Sequence, residues 1–194
     1  MFFIADKKVG KLRHSLSAKS VSSNMFGDYS ERALKVLFIA RLMAGQRLSP
    51  SLDTDDLVAA IVIEDQAESL AASLVGISLT EDHKTTFESV MSSSAHQAFF
   101  AADTAAKVLP ILKSAAPHYE PGIPLQQDIP LSAGLTRILE TAQEIKQRFQ
   151  QTSITPLHLL AAVIAVGNSR AADILHENGI SQEKIFEVIQ LGTK

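Results

Sequence analysis

The residues whose types and spacing could do chemistry fall in two places. Asp53, Asp55 and Asp56 put three carboxylates within four residues, and His158 sits in Ile154-Thr155-Pro156-Leu157-His158-Leu159-Leu160. Paired carboxylates can share general acid–base work, and an imidazole can bind a metal or move a proton near neutral pH. Neither reading finds support around it. No second His or acid stands at metal-binding spacing from His158, and the remaining histidines at 14, 83, 96, 118 and 176 are scattered. His83 and Glu81 are two apart, too close for a helical ligand pair at i, i+4. Serines are abundant, but there is no Gly-x-Ser-x-Gly elbow with companions in a sensible order. Cysteine is absent, which removes thiolate nucleophiles, thiolate metal sites and disulfides. The expectation is therefore no catalytic residue, no metal and no cofactor. Acids at a helix start complement its dipole by about 0.3–1 kcal/mol each, and a His in a first turn can satisfy free amides. Partner contact is the competing role for the acids.

Composition narrows the classes further. The chain has 194 residues, 46% hydrophobic and 20% charged, the profile of a globular protein. No apolar run approaches the roughly 18–20 residues that span a bilayer, so no membrane partner is expected. The net charge of −3 is uneven. Residues 1–24 carry +4 and the remainder −7, which leaves no broad basic face for nucleic acid. That basic stretch reads as a flexible tail, with an organellar transit peptide as the alternative. The cysteine-free composition suits a cytoplasmic location, or a plastid if the tail is a leader.

The elements that must position these groups are helices. Ala33, Val36, Leu37 and Ala40 repeat at i, i+3, i+4 and i+7 behind Ser30 as N-cap. Asp53 caps a second helix carrying Leu57, Ala60 and Ile61, and two more are expected at about 66–74 and 80–91. The programme then restarts. Ser132 opens a helix with Leu135, Ile138, Leu139 and Ala142, and Thr155-Pro156 opens the next, where proline's missing N–H costs nothing. A short helix at 170–177 ends at Gly179, and Ser181 starts the last. Between the halves, 95–109 reads as an extra helix that Pro110 should kink or end. On that helix one of Phe99 and Phe100 would pack between the repeats; for the other, core packing is the preferred reading and an exposed docking point the alternative.

Sliding the chain by 102 residues makes the repetition explicit. Ser30, Leu37, Ala40, Ser51, Leu57, Ala59 and Ala60 meet identical residues at 132, 139, 142, 153, 159, 161 and 162. A period this long is outside the range of about 20–50 residues usual for solenoids, so it marks a duplicated domain. The expected fold class is all-α: a duplicated four-helix repeat with pseudo-twofold symmetry. Its organisation would be a 1–24 tail, repeat 1 at 25–91, a linker with an extra helix at 92–128, and repeat 2 at 129–194.

Met25-Phe26-Gly27-Asp28-Tyr29-Ser30-Glu31-Arg32-Ala33-Leu34 resembles the opening of the N-terminal domain of Clp-type AAA+ unfoldases, and Thr155-Pro156-Leu157-His158-Leu159-Leu160 resembles that family's second-helix signature. Duplication of a four-helix unit is likewise the family's architecture. The resemblance implies a mobile module that binds adaptors and protein substrates. No Gly-x-x-x-x-Gly-Lys-Ser/Thr phosphate loop occurs in the 194 residues, so they are not themselves an unfoldase. In some relatives an acid before the signature His, with the Ser/Thr opening the first helix, contributes to a phosphoarginine site. Here Asp56 stands at the His position of repeat 1, and Leu157 replaces the acid of repeat 2. On this reading only Ser30 with Asp55 could reproduce the pair, and Ser132 lacks an acidic companion. The candidate ligand- or partner-binding residues are thus Ser30, Asp55, Asp56, Ser132 and His158. The expected function is a non-catalytic adaptor or substrate-recognition factor linked to a Clp-type protease, binding proteins or peptides and, among them, Clp ATPase or protease subunits. The alternatives are an accessory subunit docked on a Clp ring for assembly and, from another class, a small helical enzyme.

Overall fold

A computed structural model of the chain describes residues 27–66, 98–114 and 128–191. The tail at 1–24 and the helices expected at 66–74 and 80–91 lie essentially outside them. Among the described residues there are seven helices and no strand longer than a single bridge: α1 (Glu31–Gln46), α2 (Thr54–Asp65), α3 (Ala102–Ser114), α4 (Ala133–Arg148), α5 (Pro156–Val166), α6 (Arg170–Glu177) and α7 (Gln182–Leu191). The protein is all-α, as the periodicity requires.

Where both halves are described, they are built alike, down to single hydrogen bonds. Ser30 Oγ accepts from the Ala33 amide at 3.2 Å, and Ser132 Oγ accepts from Leu135 at 3.1 Å. At the far ends, Leu48 and Gln150 both take left-handed φ, 54° and 53°, and their amides reach back to Gly45 and Gln147. Each pair of residues is separated by 102.

Two isolated parallel bridges exchange chain between the halves: Tyr29 with Ile154, and Leu52 with Leu131. The offset turns one bridge into the other, as a pseudo-twofold axis demands. The Ser30 amide donates to Ile154 O at 2.9 Å, and the Ser132 amide donates to Leu52 O at 3.0 Å. Buried backbone amides need partners. Here the segment before the first helix of each half finds them in the segment before the second helix of the other.

The centre of the fold is α2 with α5, which touch each other while α1 packs on α2 and α4 on α5. Both inner helices are buried on nearly every side, including Leu57, Ile61 and Ile63 on α2 and Leu159 and Leu160 on α5. A helix apolar all round belongs inside, and each fully buried Leu or Ile contributes about 1.5–3 kcal/mol. No single helix among the described residues is long and apolar enough to cross a membrane.

The extra helix departs from the sequence expectation. It starts at Ala102 instead of 95 and runs through Pro110 to Ser114. Its start is set from outside: the Asp65 carboxylate accepts from the Phe99 and Phe100 amides at 2.9 and 2.8 Å, which holds 98–100 out of the helix. The two rings then meet edge to face at 5.3 Å, with Phe100 buried and Phe99 half-buried. Phe100 is a core residue, not a docking point. α3 packs against α2, with Val108 and Leu112 inward and Pro110 exposed.

Two glycines are needed for their backbone. Gly179 (φ 73°) closes α6 as expected, and Gly167 (φ 58°, ψ −148°) ends α5 in a region that side chains avoid. Gly167→Ala is expected to cost about 2 kcal/mol, readable as a lowered urea midpoint with an unchanged m-value.

Candidate functional site

The N-termini of α2, α4 and α6 converge on the C-terminus of α5. Between them lies a cleft of about 540 Å³ lined by both halves, with Asp53 and Asp55 on one wall, Gly134 and Arg137 on another, and Asn168, Ser169 and Arg170 closing the end. Ser132 Oγ donates to Asp53 Oδ1 at 3.0 Å across the halves, and Asp53 Oδ1 also accepts from the Thr54 amide at 2.7 Å. Arg170 Nη1 stands 3.3 Å from Asp55 Oδ2, while Nη2 donates to Ile111 O at 2.9 Å. That guanidinium fastens α6 to α2 and to the carbonyl end of α3, where a cation is favoured. Burial raises the Asp55 carboxyl, and the charge of Arg170 opposes it. Arg137 is exposed and has no ion-pair or hydrogen-bond partner among the described residues.

This arrangement corrects the pairing read from the sequence. Because the halves exchange their bridge segments, Ser132 has an acidic companion after all, Asp53 from the first half, with Asp55 on the same cleft wall. Ser30 is placed beside Ile154 of the second half. A linear reading matches each serine to acids of its own repeat. The chain matches it to the other.

Two candidates leave the surface altogether. Asp56 is 2% exposed. Its Oδ2 accepts from the Asp53 amide at 3.2 Å as the return half of a capping box, and Arg47 grips both oxygens at 2.6 Å. Burial raises this carboxyl, and the Arg47 guanidinium pulls it back. His158, the counterpart of Asp56 at the 102-residue offset, does the same work in the second half: Nδ1 accepts from the Thr155 amide at 3.1 Å, and Thr155 Oγ1 lies 2.7 Å away. It is 1% exposed, and Nε2 has no partner among the described residues. Asp56 and His158 are therefore caps that cannot meet a partner without unfolding. No group of three or more metal-ligating side chains occurs among the described residues.

The buried imidazole gives a pH prediction. Burial, with a smaller push from Lys146, lowers His158 to about 4 from 6.5. As pH falls below 6.5 the unfolded chain takes up a proton before the folded one, so stability drops until about pH 4. The gap corresponds to about 3 kcal/mol. Urea unfolding at pH 7, 5.5 and 4.5 should show this loss, and His158→Asn should flatten the slope.

Sequence reading missed Gly134, Arg137, Asn168, Ser169 and Arg170. The signal for one was present: Gly134 faces Arg32 at the 102-residue offset, a change from a long cation to no side chain.

Residues 101–178 match the family described as the Clp repeat (R) N-terminal domain. The match begins within the segment read as a linker and so takes in α3. Among solved structures, the N-terminal domain of the caseinolytic protease-associated chaperone ClpD from Arabidopsis thaliana is similar with a TM-score of 0.55 at 14% identity, covering 87% of this chain and 99% of that one. The Hsp104 N-terminal domain from Candida albicans is similar with a TM-score of 0.57 at 18% identity, covering 85% of this chain and 91% of that one. A search of curated protein sequences returns no match.

Proposed function

From the Clp N-terminal-domain fold as its starting point, we propose that this chain is a non-catalytic module that binds protein or peptide segments for a Clp-type protease system, as an adaptor or substrate-recognition factor. The observation that carries the reading is the cleft between the exchanged halves. It holds charges of both signs, and Arg137 stands exposed on its wall without a partner among the described residues. Such a surface suits polypeptide, whose backbone and side chains offer both donors and acceptors. Of the four residues that could have suggested catalysis, Asp53, Asp56 and His158 serve as helix caps, Asp55 lines this cleft, and Asp56 and His158 are buried. The cysteine-free composition fits a reducing compartment. The proposal places the module in the cytoplasm, or in a plastid if residues 1–24 are a leader.

The test uses reduced, alkylated lactalbumin, a permanently unfolded protein, with binding followed by fluorescence anisotropy. Arg137→Glu is expected to weaken binding by about tenfold, and Lys107→Glu on the exposed side of α3 should leave it unchanged. Equal affinity in all three proteins would remove the cleft from the reading.

A further inference from the structure

The two crossed bridges share a backbone pattern and differ in the chemistry that caps them. In one, the Ile154 amide donates to Asp28 O at 2.6 Å and the Ser30 amide to Ile154 O at 2.9 Å. In the other, the Leu52 amide donates to Pro130 O at 2.8 Å and the Ser132 amide to Leu52 O at 3.0 Å. One residue beyond each bridge the chain turns into a helix, at Thr155 and at Asp53, and the amide at that turn is held by the side chain three positions on. At Asp53 the holder is the Asp56 carboxylate, gripped by Arg47. At Thr155 it is the His158 imidazole, and the 102-residue offset puts Phe149 where Arg47 stands and Lys146 where Ala44 stands.

We propose that the fold carries an acid-sensitive release on one side only: protonation of His158 frees the Thr155 amide and opens the Tyr29–Ile154 crossing, while the Leu52–Leu131 crossing, capped by Asp56, stays closed.

Nδ1 of His158 accepts from the Thr155 amide at 3.1 Å, so the closed state needs a neutral ring with its proton on Nε2. A second proton must go on Nδ1, which turns that acceptor into a donor facing a donor. Thr155 Oγ1, 2.7 Å away, can take the new N–H, but the amide is left without its acceptor beside a side chain only 1% exposed. Nothing described around the ring offsets this loss. Nε2 has no partner among the described residues. Of the charged groups described on the helices packed against α5 (α1, α2, α4, α6 and α7), Lys146 of α4 is the one that bears on the ring, and it repels an imidazolium. Lys146 Nζ is also tied to Asp28 Oδ2 at 2.7 Å, so the repulsion falls where the crossing is anchored.

Linkage gives the direction. Burial, then Lys146, holds the closed ring at about 4, and opening returns it toward 6.5, so falling pH between those values favours the open form. Asp56 behaves oppositely. Burial raises its carboxyl against the pull of Arg47, and a carboxyl raised in the closed state takes its proton there first, so mild acid does not favour opening on that side.

Native-state hydrogen exchange on the full 15N-labelled chain reads both crossings at once, as protection factors at pH 7.0 and 5.5 corrected for the intrinsic pH dependence of exchange. Protection of Ser30 and Ile154 is expected to fall by about eightfold between the two values, with Leu52 and Ser132 unchanged. His158→Gln keeps an acceptor at the capping-box position without titrating, and should remove the difference. If that variant does not fold, the ring of the unaltered protein decides: its 15N shifts should show the Nε2–H tautomer at pH 7 and no protonation down to about pH 5. An equal fall at both crossings, no fall at either, a fall that survives His158→Gln, or a ring that titrates near 6.5 would overturn the one-sided release.

Discussion

Arg47→Ala is expected to lower stability by about 3 kcal/mol, with a fall in Tm of roughly 10 °C. The ground is Asp56, whose carboxylate is 2% exposed and holds Arg47 by both oxygens at 2.6 Å. Removing the guanidinium leaves a buried charge with the Asp53 amide as its remaining partner among the described residues. The deficit should depend on pH. Without Arg47, burial raises the folded carboxyl above its unfolded value, so the folded state holds the proton longer as pH rises. Stability then declines with rising pH through that window, and the variant's deficit is larger at pH 7 than at pH 4. Thermal melts of both proteins at the two pH values check this. A deficit that is the same at both would mean Asp56 finds another partner.

Ile154→Ala should cost about 3 kcal/mol by leaving a cavity, and the loss should be felt in the half that does not contain it. Ile154 is 1% exposed and forms its bridge with Tyr29 at the entry to α1. If the exchanged bridges join the halves into one cooperative unit, native-state hydrogen exchange of α1 amides should accelerate along with those of α4 and α5. Confinement of the faster exchange to residues 128–191 would show two halves that open independently.

Much of this fold is legible from residue types alone. Ser30, Asp53, Ser132 and Thr155 announce helix starts because hydroxyl and carboxylate oxygens suit free first-turn amides, and each is an N-cap in the structure. The repeat is equally plain, since identical core positions recur at a constant offset. Two features resist a linear reading. The start of α3 is fixed by Asp65, a residue more than thirty positions away whose carboxylate takes the Phe99 and Phe100 amides. The exposed Pro110 sits inside the helix because tertiary packing of Val108 and Leu112 outweighs the local cost.

The site was half visible for the same reason. Asp55 and Ser132 are identifiable as polar groups at helix starts, but their association depends on which half supplies which segment. That is decided by the crossed bridges of Tyr29 and Leu52, which leave no periodic trace. Arg137 and Arg170 look like ordinary surface cations until the α5–α6 turn folds back beside α4. His158 and Asp56 mislead in the opposite direction. Their chemistry is versatile, yet both are consumed by the backbone amides three residues before them.

The most direct test of the account is affinity capture from the source lysate with the purified chain as bait, with Arg137→Glu and Gly134→Gln run in parallel and bound proteins quantified by mass spectrometry. Clp ATPase or protease subunits, or their client proteins, are expected on the unaltered chain and should be lost from both variants. Reproducible partners that have no link to proteolysis, or the same partners on all three baits, would contradict it.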